Sequence, residues 1–177
     1  MAFCCKGGLE NKRIDKKLLL IGLDNSGKTT MLTYMREQTT DNKIKKGEAQ
    51  LVMNTPFINV EVLNLPGDDE ACIVYDMSGQ GRYRDSWSFF YPDVDGIFFV
   101  IDSADHERLP IVQEVLQELV RHPGLARRSI PLVILANKQD AKPNHINSED
   151  YDPLVSIQDY PVSEKQLRSY LRLDRLK

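Results

Sequence analysis

The sequence has few cysteines, no excess of positive charge and no long apolar run, and each shortage excludes a class of protein. Three cysteines are an odd number without metal-ligand spacing, which indicates reduced thiols rather than a disulfide framework. A formal net charge of −3 over 177 residues leaves no basic footprint for nucleic acid. No stretch approaches the roughly 18 apolar residues of a membrane span, and charged residues begin at Lys6 without the apolar core of a signal peptide. We therefore expect a cytoplasmic, monomeric protein that does not bind nucleic acid.

Residues 1–15 are expected to form a leader ahead of one folded domain, residues 16–177. The adjacent Cys4 and Cys5 leave two interpretations open: a frayed leader, or reversible S-palmitoylation that attaches the protein to a membrane. Ala2 excludes N-myristoylation, which needs glycine at that position. One acyl chain binds membranes only marginally, so two neighbouring thiols would suit an anchor. Peripheral membrane association through this pair is therefore a hypothesis.

The rest of the chain alternates short apolar runs with amphipathic stretches, which is typical of an α/β domain with a mostly parallel sheet and helices on both faces. We expect strands at 18–23, 58–65, 71–77, 96–101 and 131–136, and helices at 29–37 and 109–120. Turn residues at 66–69 predict an antiparallel hairpin between the second and third strands. The last two strands are continuously apolar, as expected of strands covered on both faces. Residues 39–54 and 141–161 are expected to be long surface loops.

The segment Gly22-Leu-Asp-Asn-Ser-Gly27-Lys28-Thr29 fits the phosphate-loop pattern G-x-x-x-x-G-K-[ST] between a predicted strand and a predicted helix. Backbone N–H groups of such a loop and of the helix N-terminus form a cage for phosphates. The two glycines permit the positive φ angles that the turn needs. Lys28 would reach the β- and γ-phosphates, and the Thr29 hydroxyl would ligate Mg²⁺. The residues expected to contact the nucleotide are Asp24, Asn25, Ser26, Gly27, Lys28, Thr29 and Thr30.

A second group of residues follows the predicted strand 71–77 and suits phosphate chemistry. Asp76 stands at the end of an apolar strand, where an aspartate can hold the Mg²⁺ shell. Gly79 would offer a backbone N–H to a γ-phosphate, and Gln80 stands where GTPases carry the glutamine that orients the attacking water. Lys28 and Gln80 are accordingly the predicted catalytic residues.

The segment Asn137-Lys-Gln-Asp140 follows the predicted strand 131–136 and favours guanine over adenine. Asp140 can accept hydrogen bonds from the N1–H and the exocyclic amine of guanine, whereas adenine would leave that carboxylate unpaired. Asn137 would brace the loop, and the aliphatic part of Lys138 could cover the face of the base.

A further Mg²⁺ ligand is expected from the polar loop before the hairpin. Thr55 is preferred because only two residues separate it from the strand start, although Thr39 and Thr40 lie in the same loop. Such a hydroxyl would bind when γ-phosphate is present and let go after hydrolysis. Thr29, Thr55 and Asp76 are thus the predicted metal-binding residues.

These motifs resemble those of the Arf-like small GTPases, and Asp76-Met-Ser-Gly-Gln-Gly-Arg-Tyr-Arg84 is the most specific of them. The sequence is similar in particular to the branch that recruits the BBSome coat in cilia. The resemblance implies a switch driven by GTP, GDP and Mg²⁺, with an effector, an exchange factor and a GTPase-activating protein as partners. It also implies membrane association at the cilium base. By the same resemblance, Ile58, Tyr75 and Phe90 would form an apolar effector surface, although ordinary core positions are an equally good interpretation.

Several features depart from that family. Residues 141–161 look like an insertion, and Phe57 stands where the family generally has glycine. The family's final strand and final helix have no match before Lys177, so we expect a domain truncated at its carboxyl end. Arg82 and Arg84 are interpreted as solvated charges or effector contacts rather than as an arginine that acts in cis, which predicts slow hydrolysis without an activating protein.

Two other functions stay open at this stage. One is a degenerate GTP-binding scaffold that does not hydrolyse its nucleotide. The other is an ATP-using phosphoryl transferase with the same phosphate loop, although the segment 137–140 argues against it.

Overall fold

The computed structural model describes residues 13–39, 57–64, 70–141 and 161–173. In these ranges five strands form one sheet in the order β2-β3-β1-β4-β5. The strands are β1 (Arg13–Ile21), β2 (Ile58–Asn64), β3 (Glu70–Met77), β4 (Gly96–Asp102) and β5 (Leu132–Asn137). Only β2 runs antiparallel to its neighbour, so the sheet is mostly parallel, as predicted.

Within the same ranges, four α-helices accompany the sheet: α1 (Lys28–Thr39), α2 (Leu109–Arg121), α3 (Pro123–Ala126) and α4 (Glu164–Tyr170). Helix α2 buries Leu109, Val112, Leu116 and Leu119, a spacing that puts four apolar side chains on one face. Helix α4 begins with a capping box in which Ser163 and Gln166 bond each other's backbone N–H groups. None of the helices in the described ranges is both long enough and apolar enough to cross a bilayer.

Helices cover both faces of the sheet because alternate residues of the central strand β1 point in opposite directions. Leu19 and Ile21 belong to a core cluster that includes Leu116 of α2 and Leu167 of α4. Leu20 belongs to a second cluster, with Leu32 of α1 and with Leu63 and Val74 of the hairpin. The prediction of an α/β domain with helices on both faces is confirmed.

Two strands differ from the expectations. Strand β1 begins at Arg13, inside the range 1–15 assigned to a leader, because its backbone continues to pair with β3 beyond the leucine run. Strand β5 is mostly half-buried, and its Val133 is 41% exposed, so the expectation of a strand covered on both faces is wrong there. The reason is position: β5 lies at the edge of the described sheet, whereas β4 is buried at six of its seven positions.

Candidate functional site

The loop between β1 and α1 has a backbone that depends on its two glycines. Gly22 has φ +140°, and a Cβ there would lie 2.1 Å from the carbonyl oxygen of Val100. Gly27 has φ +91°, and its Cβ would lie 2.3 Å from Nδ2 of Asn137. Asn25, also left-handed at φ 61°, is a residue type that tolerates this conformation. The loop therefore has the tightly turned shape that a phosphate cage requires.

Lys28, the first residue of α1, is a buried cation that reaches back to this loop. Its side chain is only 6% exposed, and its Nζ donates a hydrogen bond to the carbonyl oxygen of Leu23 at 2.8 Å. Burial lowers the pKa of Lys28 from 10.5 to about 8, although Asp76 and Asp24 favour the charged form. The charge is thus incompletely compensated, and an anion beside it would stabilise the protonated form.

Thr29 and Asp76 meet at the carboxyl end of two neighbouring parallel strands. Strand register places Asp76 beside Leu20, and Asp76 is fully buried. The Thr29 hydroxyl donates to Oδ2 of Asp76 at 2.6 Å. A hydroxyl and a carboxylate are oxygen ligands of the kind that Mg²⁺ takes when substrate phosphates and water complete its shell. The donor set therefore fits a magnesium ion next to the phosphate cage.

The Gly79 loop packs directly against the phosphate loop. A Cβ at Gly79 would lie 2.2 Å from the backbone N of Asp24, so only glycine fits this approach. Trp87, 2% exposed, anchors the segment by donating from its indole N–H to the carbonyl oxygen of Ser78 at 3.0 Å. The backbone of Gly79 is thereby held at the edge of the predicted γ-phosphate site.

Asp24 lies between two arginines from different parts of the chain. Arg84 donates to the carbonyl oxygen of Gly79 at 2.9 Å and lies 3.9 Å from the Asp24 carboxylate. Arg108 donates to the backbone oxygen of Asp24 at 3.2 Å, lies 3.4 Å from its carboxylate and is held by Asp105. This set of contacts ties the phosphate loop to both the Gly79 loop and the segment after β4.

Sequence reasoning missed Arg108 and Asp105. The available signal was their position after β4, since the carboxyl ends of parallel strands share one edge where ligands bind.

The segment Asn137–Asp140 lies at the same edge of the sheet. The side-chain amide of Asn137 donates to the carbonyl oxygen of Ser26 at 2.8 Å and so braces the phosphate loop itself. Lys138 has φ 59°, and its ammonium group pairs with Asp102 at 2.7 Å. This ion pair holds the aliphatic part of Lys138 in place. Asp140 is exposed, so its carboxylate is accessible to a base.

The structure places the remaining predicted residues as follows. Thr30 is exposed on α1, and the hydroxyl of Ser26 is buried without a hydrogen-bond partner in the described part of the chain. Gln80 is half-buried, and its side-chain oxygen accepts hydrogen bonds from Arg82. Outside the described residues lie Thr40 and Thr55, the pair Cys4 and Cys5, and most of the predicted insertion.

Two of the three residues suggested as an effector surface, Ile58 and Tyr75, lie on the strands of the hairpin, and Tyr75 contacts the third, Phe90. The rings of Tyr75 and Phe90 are 5.0 Å apart, and Ile58 is also half-buried against the same core cluster. Phe89, the sequence neighbour of Phe90, is 79% exposed. The patch is thus partly core and partly surface, which accommodates both interpretations of these residues.

Comparison with known proteins identifies the family. The model of the ADP-ribosylation factor family matches residues 7–169. The ADP-ribosylation factor-like protein 6 of Danio rerio is 38% identical over 135 residues, which cover 76% of this chain and 67% of the relative. The Caenorhabditis elegans protein of the same name is 34% identical over 126 residues, 71% of this chain and 62% of the relative. The chain thus spans about two thirds of the length of these curated relatives.

Solved structures of other proteins are similar to this fold. The Arl6 BBS3 small GTPase from Trypanosoma brucei, with the bound nucleotide analogue GppNp, superimposes with a TM-score of 0.69 at 28% identity, over 91% of this chain and 79% of that one. The mammalian SRP receptor has a TM-score of 0.63 at 18% identity over 90% and 77% of the two chains, which shows a shared fold only. This chain therefore belongs to the ADP-ribosylation factor family, whose Arf and Arl members are small GTPases that hydrolyse GTP.

Proposed function

We propose that this chain is a Mg²⁺-dependent switch that binds GTP, hydrolyses it slowly and recruits a coat or cargo complex to membranes in ciliary trafficking. The observation that carries the nucleotide part is Lys28, a buried cation that donates to the backbone of a tightly turned glycine loop and whose pKa is about 8. A buried charge is costly unless it is paired. The phosphates of a nucleotide would supply the missing negative charge and would accept hydrogen bonds from the loop backbone.

Magnesium binding is proposed on Thr29 and Asp76, with Thr55 as the ligand that would join from the preceding loop. When bound, the ion would supply Lewis-acid stabilisation of the charge that develops on the phosphates. Asp76 is well suited to such a role because it is fully buried and already oriented by the Thr29 hydroxyl.

Hydrolysis is proposed to depend on Gln80, which would orient the attacking water, with Lys28 and the Gly79 N–H offsetting charge on the γ-phosphate. Arg84 and Arg108 both form ion pairs with Asp24. Slow intrinsic turnover is therefore expected, and an arginine from an activating protein would add about 10³–10⁵ in rate.

Replacement of Gln80 by leucine tests this role. We expect Gln80→Leu to retain GTP binding and to lose hydrolysis stimulated by an activating protein, measured as phosphate release from preloaded GTP. Gln117→Leu, the same chemical change on helix α2, is the matched control and should behave like the wild type. Equal stimulated rates in the two variants would refute the assignment, and no phosphate release from any of them would favour the non-hydrolysing scaffold.

Recruitment at the cilium is proposed from the resemblance of the segment Asp76–Arg84 to the branch that recruits the BBSome coat in cilia. We propose a cytoplasmic protein with a membrane-bound fraction at the cilium base, held through Cys4 and Cys5. Fractionation of ciliated cells should show this fraction lost when both become serine. Cys72 is buried, so it should carry no hydroxylamine-sensitive acyl label in either form. Membrane binding that persists without the pair would contradict this anchor.

A further inference from the structure

The side-chain oxygen of Gln80, the atom expected to accept a hydrogen bond from the attacking water, already accepts hydrogen bonds from Arg82. Arg82 donates to this oxygen twice, from Nε at 3.1 Å and from Nη2 at 3.0 Å. The Gln80 backbone takes part as well, because its carbonyl oxygen accepts from the N–H of Tyr83 at 2.9 Å. The glutamine is therefore held at both its side chain and its main chain by the turn that follows it.

Two adjacent N–H groups of one guanidinium converge on this amide oxygen from the same side and take up part of its acceptor capacity, since a carbonyl oxygen has two acceptor positions. A water molecule that donates to that oxygen must therefore compete with the guanidinium for it. The guanidinium also carries a full positive charge, which draws electron density from the oxygen and weakens it as an acceptor. This arrangement is unproductive for orienting a water.

Arg82 is itself held in place by a small aromatic cluster. Its Cζ lies 4.8 Å from the centre of the Tyr83 ring, within the range of a cation–π contact. The Tyr83 ring meets Phe57 edge-on, with centroids 5.8 Å apart and planes at 82°. The cluster links Phe57, just before β2, to the glutamine through two intervening side chains.

We propose that Arg82 is a positioning residue that holds Gln80 in an unproductive conformation and so slows intrinsic hydrolysis. This rests on the proposed function, in which Gln80 orients the water. It adds a second cause of slow turnover, separate from the need for an arginine from an activating protein. Release of Arg82 would free the amide oxygen without any change in the phosphate loop.

The test is single-turnover hydrolysis of preloaded GTP·Mg²⁺ without an activating protein. Arg82 is exposed and its hydrogen bonds to Gln80 lie at the surface, so they stabilise this conformation of Gln80 only modestly. We therefore expect Arg82→Ala to raise the hydrolysis rate about three- to tenfold. The hydrolysis rate of Arg82→Lys should lie between those of the wild type and Arg82→Ala, because an ammonium group cannot donate from two parallel N–H groups as a guanidinium does. Arg121→Ala, an exposed arginine at the end of α2, is the matched control and should leave the rate unchanged.

A second comparison separates this mechanism from a merely structural effect. In a Gln80→Leu background, Arg82→Ala should bring no gain, because the acceptor that it frees is gone. A gain of equal size in that background would overturn the inference, as would an Arg82→Ala rate equal to or below that of the wild type.

The outcomes also distinguish the inference from the function on which it rests. A rate that depends on Gln80 but not on Arg82 contradicts the inference alone. If the wild type, Gln80→Leu and Arg82→Ala all bind GTP and none hydrolyses it, both the hydrolytic function and the inference are wrong.

Discussion

Replacing Lys28 with methionine should stabilise the nucleotide-free protein and abolish its stabilisation by nucleotide. Methionine keeps the length and apolar character of the lysine stem but removes the buried charge. The shift of the Lys28 pKa from 10.5 to about 8 corresponds to about 3 kcal/mol of unfavourable free energy when the group is charged. The change also removes the hydrogen bond to Leu23, which costs about 1 kcal/mol. The net gain in the free energy of unfolding is therefore about 2 kcal/mol.

For a chain of this length, that gain corresponds to a rise in Tm of about 4–8 °C. Thermal unfolding after removal of nucleotide measures it directly. Addition of GDP and Mg²⁺ should reverse the order, because a ligand at 1,000 times its Kd stabilises the wild type by about 4 kcal/mol, whereas the variant should not bind. Lys165→Met, an exposed lysine on α4, is the matched control and should follow the wild type in both conditions.

The pH dependence gives an independent check of the same reasoning. Between pH 8 and 10.5 the unfolded chain keeps a proton on Lys28 that the nucleotide-free folded chain has released. The unfolded state then binds more protons, so the free energy of unfolding rises with pH in this window. The advantage of Lys28→Met should be fully present below pH 8 and should disappear towards pH 10.5. A variant that is less stable than the wild type without nucleotide, or that still binds GDP, would refute the account of Lys28.

Three further changes test other parts of the site. Asp140→Asn places an amide N–H against the donors of guanine and should weaken GTP binding at least about 100-fold, measured by calorimetry. Asp93→Asn, the same change at an exposed aspartate before β4, should leave the affinity unchanged. Equal affinities of the two variants would show that the Asp140 carboxylate does not recognise the base. Gly79→Ala should disturb the contact with Asp24 and lower the affinity for GTP more than the affinity for GDP, measured by competition binding. Gly81→Ala, at a position with open space around the added Cβ, should leave both affinities unchanged. A larger loss of GTP affinity in Gly81→Ala than in Gly79→Ala would contradict the packing described for Gly79. Arg108→Ala should speed GDP release, because the contacts of Arg108 with Asp24 in the phosphate loop are lost. The release rate is measured with a fluorescent GDP analogue, and an unchanged rate would show that Arg108 does not restrain the loop.

The sequence predicts the sheet and the phosphate loop well because both have local signatures. The phosphate loop is recognised from a short stretch of sequence, a glycine pattern between an apolar run and a helix. The hairpin is recognised from turn residues between two strands with alternating apolar and polar residues. The start of β1 could not be read this way. Its polar residues before the leucine run are part of the strand only because β3 pairs with them.

The contacts between motifs could not be predicted because they join residues far apart in the chain. Asn137 bonds the phosphate loop 111 positions earlier, and Arg108 reaches Asp24 across 84 positions. Periodicity and spacing carry no information on such pairs. The hydrogen bonds from Arg82 to Gln80 join residues only two positions apart. They nevertheless depend on the geometry of the turn and on the contact of Arg82 with the Tyr83 ring, neither of which the sequence pattern specifies.

Calorimetric titration of the nucleotide-free protein with GDP, GTP and ATP in the presence of Mg²⁺ tests the central claim most directly. The account predicts tight binding of both guanine nucleotides and an affinity for ATP at least about 100-fold weaker. Comparable affinities for GTP and ATP, or binding that is indifferent to Mg²⁺, would contradict it.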